Sequence, residues 1–179
     1  MGFKAVNMFS EKRYAVSLLA TVLGGGMSSR LFEEIREKRG LSYYVNAGSD
    51  QTTDSGYFFA SAGVKHDNLE KTIEVILKEF KKVTENKIPD KELKKAKEYI
   101  KGKAMMALES SSAVASFLGD QELFRREIKE PQEIFDKIDQ VTAEEIRQVA
   151  EEIFVKEQLN LAIIGPHGKN FSLDNLLKF

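Results

Sequence analysis

Residues 43 to 64 break the helical period that governs most of this chain, and that break constrains the fold more than any other feature. Tyr43 to Ser49 and Gly56 to Val64 are rich in aromatic, β-branched and small residues, and the polar stretch Asp50 to Ser55 lies between them. Two such runs around a turn-forming stretch read as a β-hairpin with a longer-than-minimal loop. The second arm alternates Tyr57, Phe59 and Ser61 with Phe58, Ala60 and Ala62, which predicts cover on both faces. Elsewhere apolar residues recur at helical spacing. The helices expected are Lys12 to Leu23, Asp67 to Val83, a segment opened by Pro89 with Leu93, Ala96, Ile100 and Ala104 inward, Ser110 to Arg126, and Ala143 to Phe154. Thr142 and Glu145 form a capping-box pattern ahead of the last. Gly2 to Met8 reads as a short strand. Leu159 to Gly165, nearly continuous in apolar character, reads as a late strand set centrally beside the early ones. A hairpin, consecutive helices and a late strand give an α+β fold, an antiparallel-rich sheet packed by helices, rather than repeated βαβ units. The 179 residues suit a single domain, 1–179, large enough to bury roughly 70% of its unfolded surface.

Composition excludes several functions. The formal net charge is -1, so no global field recruits nucleic acid or an anionic membrane. No apolar run approaches the length of a membrane span. The absence of Cys rules out disulfides and thiolate metal sites and fits a reducing compartment, so the cytoplasm is the expected location. The start at Met1 lacks the features of a signal peptide. Lysines 87, 91, 94, 95, 97, 101 and 103 are interrupted by Asp90, Glu92 and Glu98 without interleaved aromatics, and read as a solvated helix face. The two histidines, His66 and His167, have no second ligand at helical spacing and read as structural or exposed, so no metal site is expected here. A G-x-S-x-G elbow is absent. Gly24-Gly25-Gly26 leads into a helix, as anion-binding loops do, but no P-loop Lys-Ser/Thr follows, which leaves a nucleotide-binding module as a weak rival.

One segment is harder to assign to packing: Leu23-Gly24-Gly25-Gly26-Met27-Ser28-Ser29-Arg30-Leu31-Phe32-Glu33-Glu34-Ile35-Arg36-Glu37-Lys38-Arg39-Gly40-Leu41-Ser42-Tyr43. Ser28 or Ser29 can cap a helix from Arg30 to about Lys38, and Gly40 is placed to end it in a left-handed conformation. Read singly, Arg36 belongs to a charged surface with Glu33, Glu34, Glu37 and Lys38, and Tyr43 to strand packing. Together the residues resemble the signature of the second homologous half of the inverzincin metallopeptidases, which include pitrilysin, insulin-degrading enzyme and the mitochondrial processing peptidases. The processing-peptidase branch is the most similar in style. The resemblance continues through the hairpin, Ile88 to Lys97 and the closing strand.

That resemblance implies two α+β halves facing each other, with the H-x-x-E-H zinc motif confined to the first. It implies that this chain is the substrate-binding, transition-state-assisting half of a zinc metalloendopeptidase, inactive alone. Zinc would lie in an N-terminal half or partner subunit, and short or unfolded polypeptides would be the substrates. The family's paired Arg and, seven residues on, Tyr match Arg36 and Tyr43. By the same resemblance Gly24, Gly25, Gly26, Met27 and Ser28 line the substrate chamber; the alternative is a tight helix–helix connection. The family also carries a strand ahead of Gly2-Phe3, so the sheet is expected to lack its first strand and to expose an edge that invites a second copy. The competing reading is a non-catalytic assembly or partner subunit, like the core proteins of respiratory complexes. Arg36 and Tyr43 weigh against it, and an upstream H-x-x-E-H would separate the two.

Overall fold

The computed structural model describes residues 1–125, 127–166 and 173. Three antiparallel strands form the sheet: β1 (Gly2–Lys4), β2 (Ser42–Gln51) and β3 (Gly56–Val64), in the order β1-β3-β2. The helices are α1 (Arg13–Gly24), α2 (Leu69–Glu85), α3 (Asp90–Ala107), α4 (Ser111–Asp120), α5 (Pro131–Gln140) and α6 (Ala143–Ile153). α1 is apolar almost all round, and Val16, Leu18, Leu19, Val22 and Leu23 are buried. A helix of that kind has no face to give to water and takes the centre of the fold. It packs against β2, α3 and α6.

The sheet is fastened to the helices by four phenylalanines. Phe3 of β1, Phe58 of β3, Phe80 of α2 and Phe154 after α6 are all buried. Phe80 and Phe154 stack at 4.4 Å, and Phe3 and Phe58 each meet Phe154 edge-on at 5.1 Å. Offset and edge-on arrangements are the ones that ring quadrupoles favour. Only this side of β3 is buried. Phe58 and Ala60 face the helices, whereas Tyr57 and Ser61 are exposed, so the expected cover on both faces is not found.

Other expectations shift in informative ways. The late apolar run is not a central strand. Its pairing is one antiparallel bridge, Asn160 with Gly2, made by two 2.8 Å bonds. A 3₁₀ turn at Lys156–Gln158 stops the ladder on one side. Leu161 and Ile163 pack on Ile73 and Leu77 of α2 instead. The helix expected from Ser110 to Arg126 is α4 followed by a π-helical turn, Gln121–Arg125; Arg126 lies outside the described residues. There the buried Gln121 amide donates to the Lys129 carbonyl (3.1 Å) and accepts from the Lys129 N–H (3.0 Å), closing the chain back on itself. Helix α5 was not anticipated, although Pro131 opens it and Glu130 and Glu133 form its capping box. His167 also lies outside the described residues.

Truncating Phe80 to Ala removes the ring that the other three share. The Phe80→Ala variant is expected to lose about 3–5 kcal/mol of unfolding free energy, readable as a lowered midpoint in urea denaturation.

Candidate functional site

The glycine stretch is explained first by close approach. A Cβ on Gly24 would fall 1.9 Å from the Ala47 backbone nitrogen, so the end of α1 can sit against β2 only without a side chain. Gly25 packs on Thr21, and Gly26 lies near the Tyr99 ring of α3. Arg30 then anchors the connection on α3 through paired bonds to Glu92 at 2.8 and 2.7 Å. Met27 and Ser28 are exposed, Met27 at 79%. Neither Ser28 nor Ser29 caps through its side chain: the Ser29 hydroxyl is buried without a partner.

Beyond this anchor the chain adopts π rather than α geometry at Phe32–Glu37. The Lys38 N–H bonds to the Glu33 carbonyl, one residue wider than an α turn. Gly40, at φ +59°, ends the segment. Its N–H donates to the Arg36 carbonyl (3.0 Å), and the Leu41 N–H donates to that of Ile35 (2.9 Å). Each of these bonds spans one residue more than in the usual glycine stop of an α-helix. Ile35 faces the core and Arg36 faces out.

β2 begins two residues later with an irregularity. Ser42 pairs with Val64 but Tyr44 pairs with Gly63, so Tyr43 is the extra residue of a β-bulge. Strict alternation would have sent Tyr43 inward with Val45 and Ala47. The bulge turns it out, to 83% exposure, beside the exposed Tyr44. The Arg36 guanidinium carbon lies 4.9 Å from the Phe32 ring centre and 5.8 Å from that of Tyr43, within the range of cation–π attraction.

Glu34, Lys38 and Arg39 form a salt-bridge cluster that Arg36 does not join. Glu34 accepts from Lys38 Nζ and from Arg39 Nη1, both at 2.5 Å. Those two hydrogen bonds hold its carboxyl at about 2, far below the usual 4.5. Among the described residues no carboxylate pairs with Arg36, and the Tyr43 hydroxyl has no hydrogen-bond partner. Sequence reasoning brought Arg36 and Tyr43 together but missed Phe32, the π turn and the bulge. The Tyr43-Tyr44 doublet, which interrupts the alternation, was the available signal. The nearest neighbours of Gly24 and Gly26 are Ala47 of β2 and Tyr99 of α3, not Arg36 or Tyr43. Among the described residues, no three metal-ligating side chains cluster, and no helix is long and apolar enough to cross a membrane.

Comparison with known proteins places the chain and its fold. Residues 1–100 match the model of the peptidase M16 inactive domain. An uncharacterized zinc protease of Bacillus subtilis is 34% identical over 168 residues, covering 94% of this chain and 41% of that protein. The crystal structure of a protease from Helicobacter pylori superposes with a TM-score of 0.75 at 27% identity, over 88% of this chain and 38% of that one. A chain of complex III from Candida albicans shares the fold, with a TM-score of 0.77 at 19% identity, over 87% of this chain and 39% of that one. The chain thus spans about two fifths of the length of such relatives.

Because the depressed Glu34 carboxyl is stabilising only while ionised, its contribution is complete above pH about 4.5 and is lost as pH falls toward about 2. Hydrogen exchange at the Lys38 and Gly40 amides should quicken across that window, and in Glu34→Gln it should already be fast at neutral pH.

Proposed function

The chain belongs to the peptidase M16 inactive-domain family, and from that premise we propose that it is the substrate-holding half of a zinc metalloendopeptidase in which Arg36 and Tyr43 meet the scissile amide. Being a non-catalytic half of a protease, it leaves hydrolysis to a complex with an N-terminal half or partner subunit that carries the zinc. The metal, when bound there, supplies an activated water. This chain's residues bind and orient the peptide.

The observation that carries the reading is the pairing of an uncommitted guanidinium with an uncommitted phenol on one exposed corner. When water attacks an amide, negative charge develops on the carbonyl oxygen. The Tyr43 O–H donates to that oxygen, and the bond strengthens as the charge grows. The Arg36 guanidinium grips a neighbouring main-chain carbonyl through its planar fork of donors. Its position beside the Tyr43 ring adds a positive field to the same corner. Gly24 to Ser28 lines the chamber wall through the exposed Met27 and Ser28, while the glycines keep α1 close to β2. Because two halves must close around the chain being cut, the substrates are short or unfolded polypeptides, and the activity is of the processing-peptidase kind.

The test is steady-state kinetics of the intact two-half protein on a fluorogenic peptide. Tyr43→Phe is expected to lower kcat by about a hundredfold with little change in KM, the usual loss for one oxyanion donor. Arg36→Lys is expected to raise KM, because an ammonium loses the planar fork of donors. Normal kcat in Tyr43→Phe would remove the role assigned to the phenol.

A further inference from the structure

A cavity of about 500 Å³ opens at the far end of β2 from the Arg36–Tyr43 corner, with Gln51 at its edge. Along the strand the two places are roughly 26 Å apart. Part of the cavity wall is apolar: Ile100 of α3, Phe117 of α4, and Ile134 and Ile138 of α5. Another part carries two guanidiniums, Arg13 at the start of α1 and Arg125 at the end of the π-helical turn. Both are held on one short segment. Arg13 Nη1 donates to the Ser10 carbonyl and Arg125 Nη1 to the Met8 carbonyl, each at 2.9 Å. Arg13 Nη2 also donates to the Tyr14 hydroxyl at 2.6 Å, and its guanidinium lies 4.2 Å from the centre of that ring.

These bonds staple Met8–Ser10 to α1 and to the π turn, but they engage only two nitrogens of Arg13 and one of Arg125. The rest of each planar fork stays available. Charge around the cavity is sorted by depth. Arg13 is 8% exposed, and Arg125 and Lys129 are partly buried, whereas Glu11, Asp120 and Glu127 are exposed at the rim. Glu11 stands 3.6 Å from Arg13 and Glu127 stands 3.5 Å from Lys129, both long for a charge-assisted hydrogen bond. Among the described residues Arg125 makes no ion pair. Burial, and then the like charge of Arg13, pull the Arg125 pKa below its ordinary value, which the fields of Tyr14 and Glu127 offset only in part. Two like charges drawn from water without a close carboxylate are costly, and an anion beside them relieves that cost.

We propose that this cavity binds a carboxylate borne on an apolar group, the carboxylate on Arg13 and Arg125 and the apolar group against Ile100, Phe117 and Ile134. A carboxylate matches the planar fork of a guanidinium through two parallel bonds. A cavity of this size, with an apolar wall and a few convergent polar groups, suits a small organic molecule or one terminal residue of a chain better than a bare ion. The acids of the rim repel a multiply charged anion such as phosphate more than a single carboxylate. The ligand has two sources: the last residue of a polypeptide, which the function proposed above would supply, or a free aliphatic acid. The pocket itself does not rest on that function.

Isothermal titration calorimetry of this chain tests it. The probes are a hexapeptide ending in leucine, the same peptide amidated at its C-terminus, isocaproate, isocaproamide and inorganic phosphate. A carboxylate should bind about tenfold or more tightly than its own amide, as one charge-assisted pair predicts. Binding of the peptide acid assigns the source to a polypeptide end; binding of isocaproate alone assigns it to a free acid. Arg125→Gln should weaken the carboxylate about tenfold and leave the amide unchanged. Glu11→Gln removes a rim acid beside Arg13 and should tighten the carboxylate severalfold, a gain that partial unfolding cannot imitate. The proposal is overturned if neither carboxylate binds or if each binds no better than its amide. Phosphate binding as tightly as the carboxylates overturns it by making the cavity a bare anion site. Equal loss of acid and amide in Arg125→Gln also overturns it, by reducing the guanidinium to a staple of Met8–Ser10. So does unchanged affinity in both variants, each with a normal thermal melt.

Discussion

A single left-handed residue, Gly40, sets the relation between a helix and a strand on which everything functional here depends. It receives no close contact at the position a Cβ would take, so its role is conformational rather than one of packing. By turning the chain within two residues it places the last turn of the π segment against the first residues of β2. The wide π register and the bulge at Tyr43 then act in the same direction. One adds a residue to the helix, the other adds a residue to the strand, and both additions carry a side chain outward. Without both, Arg36 and Tyr43 would not share a corner.

The electrostatics of the segment engage one of its acids away from Arg36. Glu34 satisfies Lys38 and Arg39, and Glu92 satisfies Arg30. Glu34 and Glu92 are therefore committed elsewhere, no ion pair joins Arg36 to Glu33 or Glu37 among the described residues, and Arg36 lies beside aromatic rings. A guanidinium stacked on rings keeps its edge donors free for a further partner. The cost is low because the site is exposed, so neither the charge nor the phenol is stripped of solvent.

Much of this was legible in the sequence, for reasons that differ by element. α1, α3 and α6 announce themselves through their apolar period, α6 also through its Thr142–Glu145 capping box, and the hairpin through composition, because those signals reflect burial. The pairing of Arg36 with Tyr43 came from the signature around Gly40 rather than from spacing alone. The π geometry left no trace, since Leu31 and Ile35 keep an ordinary i, i+4 stripe. Leu159 to Ile164 misled because β-propensity reports a fit to a pleated surface, not the presence of a neighbour to pair with. That segment meets its neighbour at one bridge. α5 was overlooked despite Pro131 and the spacing of Ile134, Phe135 and Ile138, because the charged residues between them mask the stripe.

The central claim is that the Tyr43 phenol recognises charge developing on the scissile oxygen. It is tested most directly by comparing two inhibitors of the intact protein: a peptide with a tetrahedral phosphinate at the cleavage position and the same peptide with a planar, uncleavable link. Replacing Tyr43 by Phe should weaken the phosphinate by about a hundredfold and leave the planar peptide nearly unaffected. Equal effects on the two, or none on either, would contradict the account.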